Sequence, residues 1–297
     1  GVTYSQISAL MKHQLFWIGL ILCLFQSCSP SESYDLIILN GSVYDGTGVV
    51  AQYLDIGIRG DQIVKIGQLD SAPSKRVIDA EGLIVSPGFI DTHVHLDPMD
   101  SFIKLADAES HIRQGVTTSF GGPDGRGVPT EYGFKEFLDS IEKVGIGMNV
   151  GFLTGHNKVR KIVMGLDNRA PTEEELNLMV SMVSQAMEEG AYGISTGLKY
   201  LPGNFSNVDE VIALSKAASN KKGVYTSHLR DEGLEIMPAI REAIQISKEA
   251  DIRVVLTHHK VIGKPMWGKS NETLALVDSA RQKGLKIRLD QYPYNAS

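Results

Sequence analysis

The stretch "SPGFIDTHVHLD" carries two histidines one residue apart, His93 and His95. Further on, "YTSHLRDE" ends an apolar run in His228, and "VVLTHHK" ends another in His258 and His259. The loop "GGPDG" adds a carboxylate, Asp124. Imidazole nitrogens with a carboxylate form the donor set that suits zinc or a similar divalent ion. One histidine at the end of a strand is more often a packed core residue. Four of the chain's 8 histidines at such ends are poorly explained by packing. The chemistry implied at this point is the binding of such an ion.

Those side chains need elements that aim them at one point. The residues at 89–93, 116–120, 148–153, 193–196, 224–228, 253–258 and 286–291 read as buried-type strands. Helical stretches lie between them. "PTEEELNLMVSMVSQAMEEG" has Thr172 as N-cap, Glu175 in the capping-box position and Gly190 as its stop. "NVDEVIALSKAASN" and "NETLALVDSARQKG" are similar. Strand-helix alternation predicts a parallel sheet, and the fold class expected is an α/β (β/α)8 TIM-type barrel with about seven strands present. Barrel sites form at the C-terminal ends of strands. His93 and His95 at i and i+2 share one face of a strand. By the same alternation only one of His258 and His259 faces inward. His258 is favoured, because it ends the apolar run and matches His228 in following Ser or Thr. His156 in "LTGHNKVR" either lines the pocket or fixes its loop through Arg160. His111 reads as structural, while Arg230 and Trp267 are candidates for shaping the pocket.

Before the barrel the texture is β. "DLIILNG" reads as a strand ending in an Asn-Gly turn. "LDIGIRGDQIVKIG" reads as a hairpin around Gly60-Asp61, and "RVIDAEGLIVSPG" as another around Glu81-Gly82. The domains expected are a small β-sandwich part over residues 34–86 and the barrel over 87–297. The net charge of -6 argues against a nucleic-acid partner, which needs a basic surface.

The only cysteines, Cys23 and Cys28, precede the globular part, so the expected domains hold no disulfide and no cysteine nucleophile. Residues 1–33 read as a targeting segment and tether. From Met11, Lys12 and His13 precede the apolar run Leu15 to Phe25. That run is short of the roughly 20 residues a spanning helix needs and fits a signal-peptide core. "QSC" at its end resembles a bacterial lipoprotein signal, which implies lipidation at Cys28, export, and a membrane partner only through that anchor. An ordinary cleaved signal peptide is the other reading.

The barrel residues resemble the amidohydrolase superfamily, whose first-strand signature matches "PGFIDTHVH". "GVTTSFGGPDG", "GHNKVR", "GAYGISTGLKYLPG", "SHLRDE", "THHKVIGKPMWGKS" and "DQYPYNA" resemble the N-acyl-D-amino-acid deacylase (D-aminoacylase) family. The resemblance implies one or two Zn²⁺ ions. His93 and His95 would hold the more weakly bound metal, and His228 and His258 the tighter one. Asp124 stands where characterised members place a bridging cysteine. Tyr200, Lys260 and Tyr292 match substrate contacts. The substrate implied is a small-molecule N-acyl-D-amino acid, cut at its amide bond.

In that family the general base is an aspartate on strand eight, which would fall beyond Ser297, together with an arginine that clamps the substrate. The chain is therefore expected to be incomplete and by itself nearly inactive. Two alternatives remain open. Cyclic amidases and dipeptidases usually carry a bridging Lys or Glu on strand four, whereas "GISTGLKY" has Lys199 only beyond the strand and no obvious bridging residue. A non-catalytic surface lipoprotein would keep the barrel as a binding module.

Overall fold

The computed structural model describes residues 33–70, 72–96, 106–128 and 133–294. The targeting segment with Cys23 and Cys28 lies outside these residues. Two compact units divide between Pro87 and Gly88.

The described part of the first unit is one five-stranded sheet, in the order β3-β2-β1-β4 with β5 also on β1. Its strands are β1 Tyr34–Val43, β2 Gln52–Arg59, β3 Gln62–Gly67, β4 Ser74–Asp79 and β5 Ile84–Val85. The β2–β3 hairpin forms as the alternation predicts. Two readings are corrected. Asn40 does not end the first strand but makes a bulge in it, with φ 61. Its side chain reaches Asp79 at 2.9 Å and its backbone N–H donates to Asp55 Oδ1 at 3.0 Å. "RVID" and "LIV" are not a hairpin either. Both pair in parallel with β1, one after the other along the same edge. A Glu-Gly step serves an edge that restarts as well as it serves a turn, and periodicity cannot separate the two. Tyr34, Ile37 and Leu69 form this unit's small core.

The second unit holds the barrel strands: β6 Phe89–Val94, β7 Val116–Gly121, β8 Asn149–Phe152, β9 Thr154–Gly155, β10 Gly193–Gly197, β11 Val224–His228, β12 Arg253–Leu256 and β13 Ile287–Leu289. The third strand is broken at Leu153. β8 pairs with β7, and β9 pairs with β10. The parallel ladder thus runs as β6-β7-β8 and β9-β10-β11-β12-β13.

Helices α1 Glu109–Ile112, α2 Phe134–Val144, α3 His156–Met164, α4 Glu173–Glu188, α5 Val208–Ser219, α6 Ile236–Ala250 and α7 Ser270–Gln282 fill the connections. In α4 the capping box is complete: the Glu175 N–H donates to Thr172 Oγ1 at 3.2 Å, and the Thr172 N–H donates to Glu175 Oε2 at 2.7 Å. That helix buries Met179, Val183, Ala186 and Met187, a stripe at helical spacing. Burying each larger side chain contributes about 1.5–3 kcal/mol. Gly190 accepts φ +111 just beyond the helix end. The same core takes in Ile194, Tyr225, Val254 and Ile287 from four neighbouring strands. Among the described residues no helix is long and apolar enough to cross a membrane.

Candidate metal centre

Asp124 is the centre of the site. It sits in the loop after β7 with φ 55, a left-handed conformation that Asp tolerates better than most residues. The glycines around it are there for close approach. A Cβ on Gly125, itself at φ +72, would lie 2.0 Å from Asn157 Oδ1 and 2.8 Å from Gly197 N. Ser195 of β10 closes the loop, accepting from Gly125 N–H at 3.1 Å and donating to Gly122 O at 2.6 Å.

Four histidines converge on this carboxylate. Asp124 Oδ2 lies 3.8 Å from His93 Nε2, 3.3 Å from His95 Nε2 and 3.8 Å from His228 Nδ1. Asp124 Oδ1 lies 3.7 Å from His258 Nε2. Two possible metal-binding triads share it: His93, His95 and Asp124, and Asp124, His228 and His258, the donor atoms of each within 4.8 Å of one another. Burial by itself would raise the Asp124 pKa. Hydrogen bonds from His228, His258 and His95 outweigh it and hold the carboxyl well below the usual range. Burial pulls His258 the other way, but Asp124 and Glu232 on its two sides raise it to about 9. A low-pKa carboxylate ringed by imidazoles is a donor set made for a divalent cation. His93 Nδ1 and Asp290 Oδ2 are buried without hydrogen-bond partners and stand 3.4 Å apart. The residues therefore fit one or two metal ions.

His258 faces the cluster and His259 does not, for a reason that differs from the expected one. β12 ends at Leu256, and His258 lies past it in a left-handed conformation with φ 38. Its backbone N–H donates to Asp290. His259 turns away and meets Thr273 Oγ1 at 2.9 Å, with burial lowering its pKa.

The Tyr200 ring packs at a tilt against His228 with ring centroids 4.6 Å apart, and burial raises its phenol pKa. Asn157 holds the loop beneath it, donating to Gly197 O at 2.9 Å and accepting from Gly197 N–H at 3.0 Å. Lys260 Nζ reaches Glu232 Oε1 at 2.7 Å and stands 5.5 Å from the Tyr292 ring centre. Tyr292 joins His93, His95, His258, Asp290 and Phe89 around an open cleft of about 820 Å³, a size that admits a small molecule.

Other readings resolve differently. His156 is fully buried and bonds Glu210 at 2.8 Å, and Arg160 bonds the other oxygen of Glu210. His156 thus fixes a scaffold through Glu210 and not through Arg160 directly. Arg230 is committed to Glu242 and to the carbonyls of Asn204 and Ser206. Trp267 is 69% exposed. Glu232 and Asp290 are the site residues that sequence reasoning overlooked. The signals were present: Glu232 closes "SHLRDE", four residues after His228, and Asp290 opens "DQYPYNA" just past a strand.

Comparison with known proteins adds lineage to this geometry. The model of the amidohydrolase family matches residues 76–287. The D-aminoacylase of Alcaligenes xylosoxydans xylosoxydans is 36% identical over 290 residues, which are 91% of this chain and 59% of that protein. Among solved structures, an N-acyl-D-glutamate deacylase from Bordetella bronchiseptica, complexed with zinc and a phosphonate inhibitor, superposes with a TM-score of 0.83 at 34% identity, over 89% of this chain and 59% of that one. A crystal structure of D-aminoacylase gives 0.82 at 35% identity, over 88% and 59%. The chain thus spans 59% of the length of these relatives. The chain belongs to the amidohydrolase family.

Proposed function

We propose that the protein hydrolyses the amide bond of N-acyl-D-amino acids, releasing a carboxylate and a D-amino acid, at a zinc site built on Asp124. The observation that carries this reading is the pair of His/Asp triads sharing one carboxylate. His228, His258 and Asp124 would hold one ion, and His93, His95 and Asp124 a second. Zinc, when bound, supplies Lewis acidity and an acidified water. The chain's own residues bind and orient the substrate. Asp124 concentrates negative charge between the triads. Tyr200 and Tyr292 present aromatic walls on two sides, and Lys260 offers a cation for a substrate carboxylate. Relatives bearing the names D-aminoacylase and N-acyl-D-glutamate deacylase support the linear-amide class.

The cyclic-amide alternative is less well supported. β10 carries Ser195 and Thr196, both engaged in scaffold hydrogen bonds, and no bridging ligand. A binding-only role leaves the two triads without a use. The targeting reading is carried by the sequence alone: an exported protein, lipidated at Cys28 and anchored facing the periplasm or cell surface.

The test is calorimetric titration of the zinc-loaded protein with N-acetyl-D- and N-acetyl-L-amino acids and with cyclic dihydropyrimidines, alongside assay of free D-amino acid. Zinc-dependent binding of the D-series alone supports the proposal. Binding of the cyclic compounds in its place, or of none, overturns it.

A further inference from the structure

His228 and His258 are flanked by two buried carboxylates. Asp124 faces one nitrogen of each ring, His228 Nδ1 and His258 Nε2. Glu232 faces the others: its Oε1 is 2.9 Å from His258 Nδ1, and its Oε2 is 3.9 Å from His228 Nε2. Glu232 is only 6% exposed, and its backbone carbonyl is held by the Ile262 N–H at 2.9 Å. The same Oε1 accepts from Lys260 Nζ at 2.7 Å, while Lys260 Nζ stands just 3.0 Å from His258 Nδ1.

That crowding has a consequence. An ammonium only donates and a carboxylate only accepts. The His258 ring is protonated near neutrality when no metal is bound, so it gives up one proton to ligate, and the remaining proton rests on one nitrogen or the other. With Glu232 in place, the His258 proton sits on Nδ1 and the lone pair on Nε2 faces Asp124. Without it, Lys260 is the nearest partner of Nδ1 and donates to it. The proton then moves to Nε2, the nitrogen a metal needs.

We propose that Glu232 is the positioning residue of this half of the site: it holds the proton of His258 on Nδ1, and it keeps Lys260 from inverting the ring. The proposal rests on the metal-centre reading above and deepens it. Partners of this kind on a ligating histidine are worth about 10–100-fold in metal affinity.

The experiment compares the chain with its Glu232→Leu and Lys260→Met variants. Zinc affinity is read by chelator competition. The His258 Nδ1 proton is read by nitrogen-15 correlation spectroscopy, with and without zinc. Glu232→Leu removes the acceptor and is expected to weaken zinc by about 10–100-fold and to lose the exchange-protected Nδ1 proton. Lys260→Met is expected to keep that proton and to hold affinity within about threefold, since it leaves the Glu232–His258 bond intact. Unchanged affinity in Glu232→Leu overturns the proposal. So does an equal loss in Lys260→Met, which would mark the ion pair as a loop brace only. If the unaltered chain takes no zinc, the functional reading fails. The Nδ1 proton of the metal-free chain, read above pH 9 where the ring is neutral, then still decides whether Glu232 holds the ring.

Discussion

His258 Nε2 lies 2.7 Å from His228 Nδ1, joining the end of one strand to the loop that follows its neighbour. At this distance the two rings share one proton between them, and with Asp124 they would hold a divalent cation in its place. Both nitrogens turn toward Asp124, so the metal face is defined before any metal arrives.

Removing either ring should therefore empty this half of the site. His228→Ala and His258→Ala are each expected to lower zinc affinity by more than the ~100-fold that an outer-shell change costs. Atomic absorption after dialysis against a weak chelator measures it. Full zinc occupancy in either variant would remove that histidine from the ligand set.

Asp124 joins the two triads, so its substitutions should act on stoichiometry. Asp124→Ala is expected to bind at most one ion, and more weakly. Asp124→Cys supplies a thiolate donor and is expected to retain at least one tightly held zinc. Equal stoichiometry in Asp124→Ala and the natural chain would show that the carboxylate is no bridge.

Gly125→Ala tests the loop that carries Asp124. Its φ of +72 and the 2.0 Å approach to Asn157 Oδ1 leave no room for a Cβ. A loss of about 1–3 kcal/mol in stability is expected from backbone strain and overpacking. Thermal unfolding reads it, and zinc affinity should fall in parallel.

The buried Glu210 sets an acid limit on the fold. Burial alone would raise its pKa, but His156 and Arg160 bond it and lower it below the ordinary value. Its stabilising contribution is complete above the unfolded-state pKa of about 4.3 and is lost as pH falls through the lower folded value. Glu210→Gln should destabilise by about 3–5 kcal/mol at neutral pH, as loss of a buried partner does. It should also flatten the acid limb of a stability–pH profile. An unchanged acid limb would place the sensitivity elsewhere.

Much of this was legible in the chain order. Strand-helix alternation, the Thr172–Glu175 cap and the His93/His95 pair depend on local spacing, which sequence displays directly. Donor chemistry is equally local: imidazoles and a carboxylate at strand ends point to a metal by residue type alone. Three matters depended on contacts between residues far apart. Periodicity read "RVID" and "LIV" as a hairpin, yet both run along β1, because pairing partners are chosen by the whole sheet. Alternation chose His258 over His259, but the left-handed turn at His258 and its bond to Asp290 do the sorting. Glu232 went unnoticed because its role exists only where the loops after β11 and β12 bring it beside His258 and Lys260. Residue types and short spacings determined which chemistry is available. The packed tertiary structure decided which atom of each residue faces it, because ring orientation and proton position are set by neighbours that the sequence keeps far apart.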